Sequence, residues 1–143
     1  MRRPLPLLAT ALAATLVFGT ARAQDTSKPE SRNMRLVGYN DLQARTAYQP
    51  TIQKQGNRYI AYVGHHGGDP KVNPMTGAME FNGTSIIDVT DPKAPKALSH
   101  IPGQQGGTET GGAQMVRVCA GKDLPKGDKS KFYLLRSFLI ILH

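Results

Sequence analysis

RYIAYVG at residues 58–64 and SIIDV at residues 85–89 decide the fold class of this chain. Both runs have strand length, and both are rich in the β-branched and aromatic residues that pack well on a pleated, half-buried surface. Turn chemistry brackets them. Gln55-Gly56-Asn57 ahead of the first is a tight-hairpin signal. Asp91-Pro92 with Pro95 behind the second forces a turn and forbids helix continuation.

Five further short runs lie outside this pair: RLVGY at 35–39, a weak run at 50–53, residues 97–101, residues 114–118, and KFYLL at 131–135. Gly, Pro, Asn or Asp stands between most of them. No segment beyond residue 23 places apolar residues at i, i+3, i+4 and i+7 for three turns, so no amphipathic helix is expected. Glycine and proline supply 22 of the 120 residues after residue 23, roughly 18% against an average near 12%. The chain therefore reads as all-β, with short antiparallel strands.

The runs echo one another. A first unit reads RLVGY, residues 51–54, YIAYVG and SIIDV; a second begins with residues 97–101 and 114–118, and KFYLL sits where YIAYV stood. Two insertions, 67–82 and 121–130, stretch the period. Four-stranded units repeating every 40–50 residues or so are what a β-propeller blade needs. The expected architecture is an incomplete β-propeller of about one and a half blades.

GTSIIDVTDPKAPK at residues 83–96, preceded by RYIAYVG, resembles an LVIVD repeat: a "YVA"-type strand, an "IIDV" strand, an Asp-Pro turn, and a following strand like KALSHI. The resemblance extends over about residues 33–138 and includes one complete unit. It implies a secreted or surface-associated β-propeller. The repeat has no common enzymatic activity attached to it, so the resemblance carries over no catalytic residue.

Arg2 and Arg3, the apolar run 5–18 and Ala21-Arg22-Ala23 form the pattern of a secretory signal peptide, with Gln24 as the first residue after cleavage. Fourteen apolar-run residues are fewer than the roughly 17–25 that cross a bilayer, so no stable membrane span is expected after cleavage. No Cys follows the cleavage position for lipid attachment, and the residues around the arginine pair match a twin-arginine signal poorly. The expected location is exported: periplasmic, secreted or at the cell surface. Residues 24–33 (QDTSKPESRN) read as a flexible leader, 34–138 as the repeat region, and 139–143 as an apolar tail without cap, turn or charge. Since 120 residues hold at most about three blades of ~40, and closed propellers use ~4–8, the chain is expected to be a truncated or frame-shifted piece of a longer propeller.

Removing residues 1–23 takes away Arg2, Arg3 and Arg22 and no acid, so the net charge falls from +8 to +5. The densest basic stretch, 122–131, is interrupted by Asp123 and Asp128 and has no clustered Arg with aromatics, which argues against nucleic acid as a partner. Cys119 is the single cysteine, so no intrachain disulfide supports the fold. It closes the apolar run QMVRVC and reads as a packed small hydrophobe.

His65-His66-Gly67-Gly68-Asp69 is the most chemical-looking stretch, because imidazoles and a carboxylate on a glycine-rich loop could ligate a metal. Adjacent histidines at a strand end point to opposite sides, however, and zinc wants three or four convergent ligands, with only distant His100 to add. The expectation is a loop with hydrogen-bonding histidines, no metal and no cofactor. Asp88 and Asp91 could suggest calcium, but a turn-capping role for Asp91 and a regular strand position for Asp88 suit the pattern better. GQQGGTETGG at 103–112 lacks the Lys-Ser/Thr ending of a phosphate loop, and no G-x-S-x-G nucleophile elbow occurs. Asn82-Gly83-Thr84 matches a glycosylation sequon, of little meaning in a bacterial host. The favoured function is a binding or interaction scaffold for an unidentified protein or cell-surface ligand, with catalytic residues unknown. The rival is an exported hydrolase or metal-dependent enzyme with its site on the His65–Asp69 loop.

Overall fold

A computed structural model of the chain describes residues 32–137. The expected signal peptide, all of the expected leader except Arg32 and Asn33, and the apolar tail lie outside the described residues. The chain divides into two units at Asn33/Met34, and every described strand belongs to the second.

Strands β1 (Tyr48–Gln55) and β2 (Arg58–His66) form an antiparallel hairpin closed by Gly56 and Asn57. Gly56 takes φ +60°, the left-handed conformation that the first central position of a type II′ turn requires and glycine adopts freely. A long connection carries two short paired strands, β3 (Lys71–Val72) and β4 (Met79–Glu80). Then β5 (Thr84–Asp88) pairs with β2 and β6 (Lys96–Ile101) pairs with β5, both antiparallel, giving the order β1-β2-β5-β6. β7 (Gly112–Ala113) extends the sheet beside the last two residues of β2. A separate hairpin of β8 (Val116–Ala120) and β9 (Phe132–Arg136) completes the described strands. The all-β, antiparallel architecture read from the sequence is the one observed.

The phase of the first unit differs from the sequence reading. Residues 97–101 do not start a second unit; they are the fourth strand of the first sheet. RLVGY belongs to no strand: Met34, Leu36, Val37 and Tyr39 are exposed, and Gly38 lies against the carbonyl of Pro92. Both segments have the length of a strand. The Asp91-Pro92 turn decides between them, because it returns the chain antiparallel to β5 immediately. There Asp91 accepts from the Lys93 amide at 3.0 Å, the turn-capping role expected of it.

Alternation sends Ile60 and Tyr62 of β2 to one face of the sheet, where they meet Val116, with Ile86, Val118 and Leu134 packed around them. Val116 is fully buried, and removing each such side chain from water is worth about 1.5–3 kcal/mol. The β8–β9 hairpin thus stacks on the first sheet. The same alternation turns Arg117 and Cys119 outward. Cys119 is exposed opposite Tyr133, not packed inside as its apolar neighbours suggested.

Gly64 marks a very close approach of two backbones. A Cβ there would run into the carbonyl oxygens of Ala113 and Gln114, backbone that cannot swing aside as a side chain could. Gly64→Ala is expected to lower stability by about 2 kcal/mol, as overpacking usually costs 1–3. Urea unfolding should show a lower midpoint at unchanged slope, and a change below about 0.5 kcal/mol would mean that residues 113–114 do not press on β2.

Candidate functional site

The second face of the sheet carries Ala61, Val63 and Ile87 along its middle and becomes polar toward the end of β2. His65, Ser85 and His100 share that face. Ser85 stands opposite both Val63 and His100 in the ladders, so parity puts their side chains together. All three are buried, His65 completely.

His65 uses both ring nitrogens. Its Nδ1 meets the carbonyl oxygen of Thr46, which only accepts, so Nδ1 carries the proton. Nε2 is then the acceptor, and the Ser85 hydroxyl donates to it at 2.7 Å. His100 is turned the other way: its Nδ1 sits 2.7 Å from Glu80 Oε2, while its buried Nε2 has no partner. The two imidazole centroids are 5.9 Å apart. Asn73 and Thr76 also donate to the Glu80 carboxylate, at 3.0 and 3.3 Å. Arg45 reaches in from residues 40–46, giving hydrogen bonds to Asn82 Oδ1 at 2.9 Å and the Glu80 carbonyl at 3.2 Å.

Burial is the main influence on both histidines, and it disfavours the charged form. It pushes His65 down to about 4, helped by His100 and Arg45 and opposed by the Thr46 hydrogen bond. His100 is lowered for the same reason, against the Glu80 hydrogen bond that favours its cation. Burial raises Glu80, but hydrogen bonds from His100, Asn73 and Thr76 outweigh it and hold the carboxyl below its ordinary value.

The residues singled out in the sequence part company here. His65 enters the cluster, whereas His66 lies edge-on to Tyr48 at 4.6 Å, with its Nδ1 3.8 Å from Glu109. Asp69 is exposed, on the rim of a cleft of about 490 Å³ with Gly68, Pro70, Phe81, Gln105 and Gly106. Among the described residues no three His, Cys, Asp or Glu side chains converge as a metal site. Asp88 caps Thr90 and pairs with Arg58 at 2.9 Å, and these contacts hold its carboxyl down at about 2. Asn82 is buried and spans Arg45 and the His66 carbonyl, with its amide nitrogen 2.9 Å from that oxygen. Residues 103–112 fold against the end of β2 through backbone hydrogen bonds from Gly67 to Thr108 and from Gly68 to Gly106.

Sequence reasoning missed Arg45, Asn73, Glu80 and Ser85. Ser85 could have been found, since it shares the parity of Ile87 on a strand whose apolar residues mark the inward positions. Nothing local flags Glu80 or Arg45, which arrive from a connection and from a segment without a ladder. Chemically, Ser85 and His65 hold the donor–acceptor relation of a hydroxyl and its base. Both are covered, though, and neither lines the open cleft nearby.

Comparison with protein-family models, curated proteins and solved structures finds no match for this chain.

A buried neutral histidine makes stability depend on pH with a definite sign. The unfolded chain protonates His65 near 6.5 and the folded chain only near 4, so the unfolded state binds the extra proton between those values. The contribution is whole above pH 6.5, falls as pH drops, and is gone by about pH 4. The difference between 6.5 and about 4 corresponds to about 3 kcal/mol. Urea unfolding between pH 7.5 and 4 should show this fall, and His65→Asn should make it shallower, leaving the part that buried His100 contributes with the same sign. An equally steep fall in the variant would move the cause to other groups.

Proposed function

We propose that the chain is an exported, LVIVD-type β-propeller piece that serves as a binding scaffold, with the loop end of the sheet as its contact surface. The observation that carries this reading is the closed state of the polar cluster beside an open cleft. The groups with reactive chemistry, His65, Ser85 and His100, are buried beneath residues 40–46, whereas the cleft at Asp69 and Phe81 is accessible. Such a surface suits recognition, because a loop held on a packed sheet presents fixed groups without needing to order them first.

The propeller part is supported by the stacking of the β8–β9 hairpin on an antiparallel sheet whose main path has four strands, the relation of neighbouring blades. Within the described residues, that hairpin has two strands where the first sheet has four along its main path and β7 beside β2. The export part rests on residues 1–23, and the processed protein should begin at Gln24. Amino-terminal sequencing of the protein from the cell envelope checks this, and an intact Met1 on envelope protein would refute it.

Site-specific photo-crosslinking in cells tests the scaffold. A crosslinker at Asp69 or Gln105 should give a discrete adduct, and one at Lys54, on the hairpin far along the sheet, should not. Identical patterns at all three positions, or none, would remove the reading. Metal analysis of the purified protein separates the enzymatic rival: stoichiometric metal lost in the His65→Ala, His66→Ala double variant would favour the enzyme.

A further inference from the structure

Residues 40–46 cross the second face of the sheet without joining any ladder, and they do so under strain. Leu42, Gln43 and Ala44 take φ values of 53°, 59° and 56°, three consecutive non-glycine residues in left-handed geometry. Each such residue is disfavoured relative to right-handed backbone, because its Cβ crowds the following carbonyl oxygen. Local hydrogen bonds shape the turn: the Leu42 amide donates to Asn40 Oδ1 and the Gln43 amide to Asp41 Oδ1, both at 3.0 Å. They do not fix it to the sheet. That is done by the His65 bond to the Thr46 carbonyl, by Arg45 on Asn82 and Glu80, by Lys71 Nζ on the Ala44 carbonyl at 2.5 Å, and by Gln43 on Asn73 at 3.3 Å.

We propose that residues 40–46 are a strained strap closed over His65, and that the cost of burying a charged His65 beneath it releases the strap on protonation while the sheet stays folded. The charges around His65 make it the weak point. Arg45 on the strap is a cation beside it, and His100 on β6 becomes a second when charged. Ser85 on β5 is neutral. The one nearby carboxylate, Glu80 on β4, is already engaged by His100 and Asn73. Lys71 on β3 adds positive charge at the strap, and Arg136 on β9 disfavours the His100 cation. An imidazolium at position 65 would keep its Nδ1–H bond to the Thr46 carbonyl, but among the described residues it would meet no free counter-ion and would lie fully buried beside Arg45, a cost that the one bond does not offset. Lifting the strap admits water to the ring, separates it from Arg45 and lets three residues leave left-handed geometry. The sheet keeps its ladders and its apolar core on the opposite face, so nothing in this step requires it to unfold. Release would bare Ser85 and His65 at the loop end.

Amide exchange on the full chain, corrected for the pH dependence of intrinsic rates and repeated across low urea concentrations, reads this directly. Strap amides at Leu42, Gln43, Ala44 and Arg45 should exchange through an opening that is nearly independent of urea and far more frequent than that of β2 and β5. That opening should become about 30-fold more frequent between pH 7.5 and pH 5, the ratio set by protonation of a released against a covered histidine. His65→Asn retains a donor for Thr46 but cannot be protonated, and its strap opening should not respond to pH. Ala44→Gly should make opening about five-fold rarer by removing left-handed strain, with the pH response kept. Strap and sheet amides sharing one protection and one urea dependence would overturn the proposal, as would a pH-independent strap in the unsubstituted protein or a pH response surviving in His65→Asn. Should His65→Asn not fold, the first two of these outcomes still decide.

Discussion

Every described part of this structure depends on burying β2 on both of its faces. A strand in a sheet exposed on one side can be half polar, but residues 60–65 are buried without a break. That demands two covers of different kinds. The β8–β9 hairpin supplies the first by ordinary apolar packing against Ile60 and Tyr62. The second must accommodate a face that begins with Ala61 and Val63 and ends in His65. A lone strand cannot do so easily, because its amides and carbonyls need a ladder partner beside it, as β8 has in β9.

The polar end of β2 is consistent with that constraint. A buried histidine is tolerable only when both nitrogens are occupied or the ring stays neutral, and His65 meets both conditions. His100 makes its Glu80 contact and leaves Nε2 unpartnered. Arg45 contributes a charge that burial makes costly and that oxygen acceptors offset only in good geometry; three contacts, to Asn82, Glu80 and Lys71 oxygens, are in place. The network is thus held together by fixed positions more than by surplus attraction. Such an arrangement defines one seat for the strap and tolerates few others.

Much of this is legible in the sequence, and the boundary of legibility has a physical cause. Alternation in RYIAYVG and the Gly56-Asn57 turn identify the β1–β2 hairpin, because strand period and turn conformation are local properties. Partner choice is not local. RLVGY and KALSHI both read as strands, and the Asp91-Pro92 reversal brings the second of them back along β5. Hydrophobicity read without parity misplaces Cys119, although Arg117, two residues earlier on the same strand, already marks that side as outward. At the candidate site, opposite orientations for His65 and His66 follow from the strand period alone. The companions of His65 do not, since Glu80 and Arg45 come from segments 15 and 20 residues away that carry no periodic signal.

The composition of residues 40–46, NDLQART, makes sense in these terms. A segment that covers a sheet face but joins no ladder must find side-chain partners for its backbone. Asn40 and Asp41 take the amides of Leu42 and Gln43, Lys71 takes the Ala44 carbonyl, and His65 takes that of Thr46. Short polar side chains that bond amides two residues ahead favour tight turns, and here they sustain a turn of the unfavourable hand. The segment gains its hydrogen bonds by giving up backbone comfort, and two of the groups that hold it there, Lys71 and His65, lie on other elements. On the proposal above, the seat of the strap and the charge of His65 are therefore coupled: the closed strap disfavours the imidazolium, the imidazolium disfavours the closed strap, and the charge state of one ring reaches the conformation of seven residues while the ladders of the sheet stay in place.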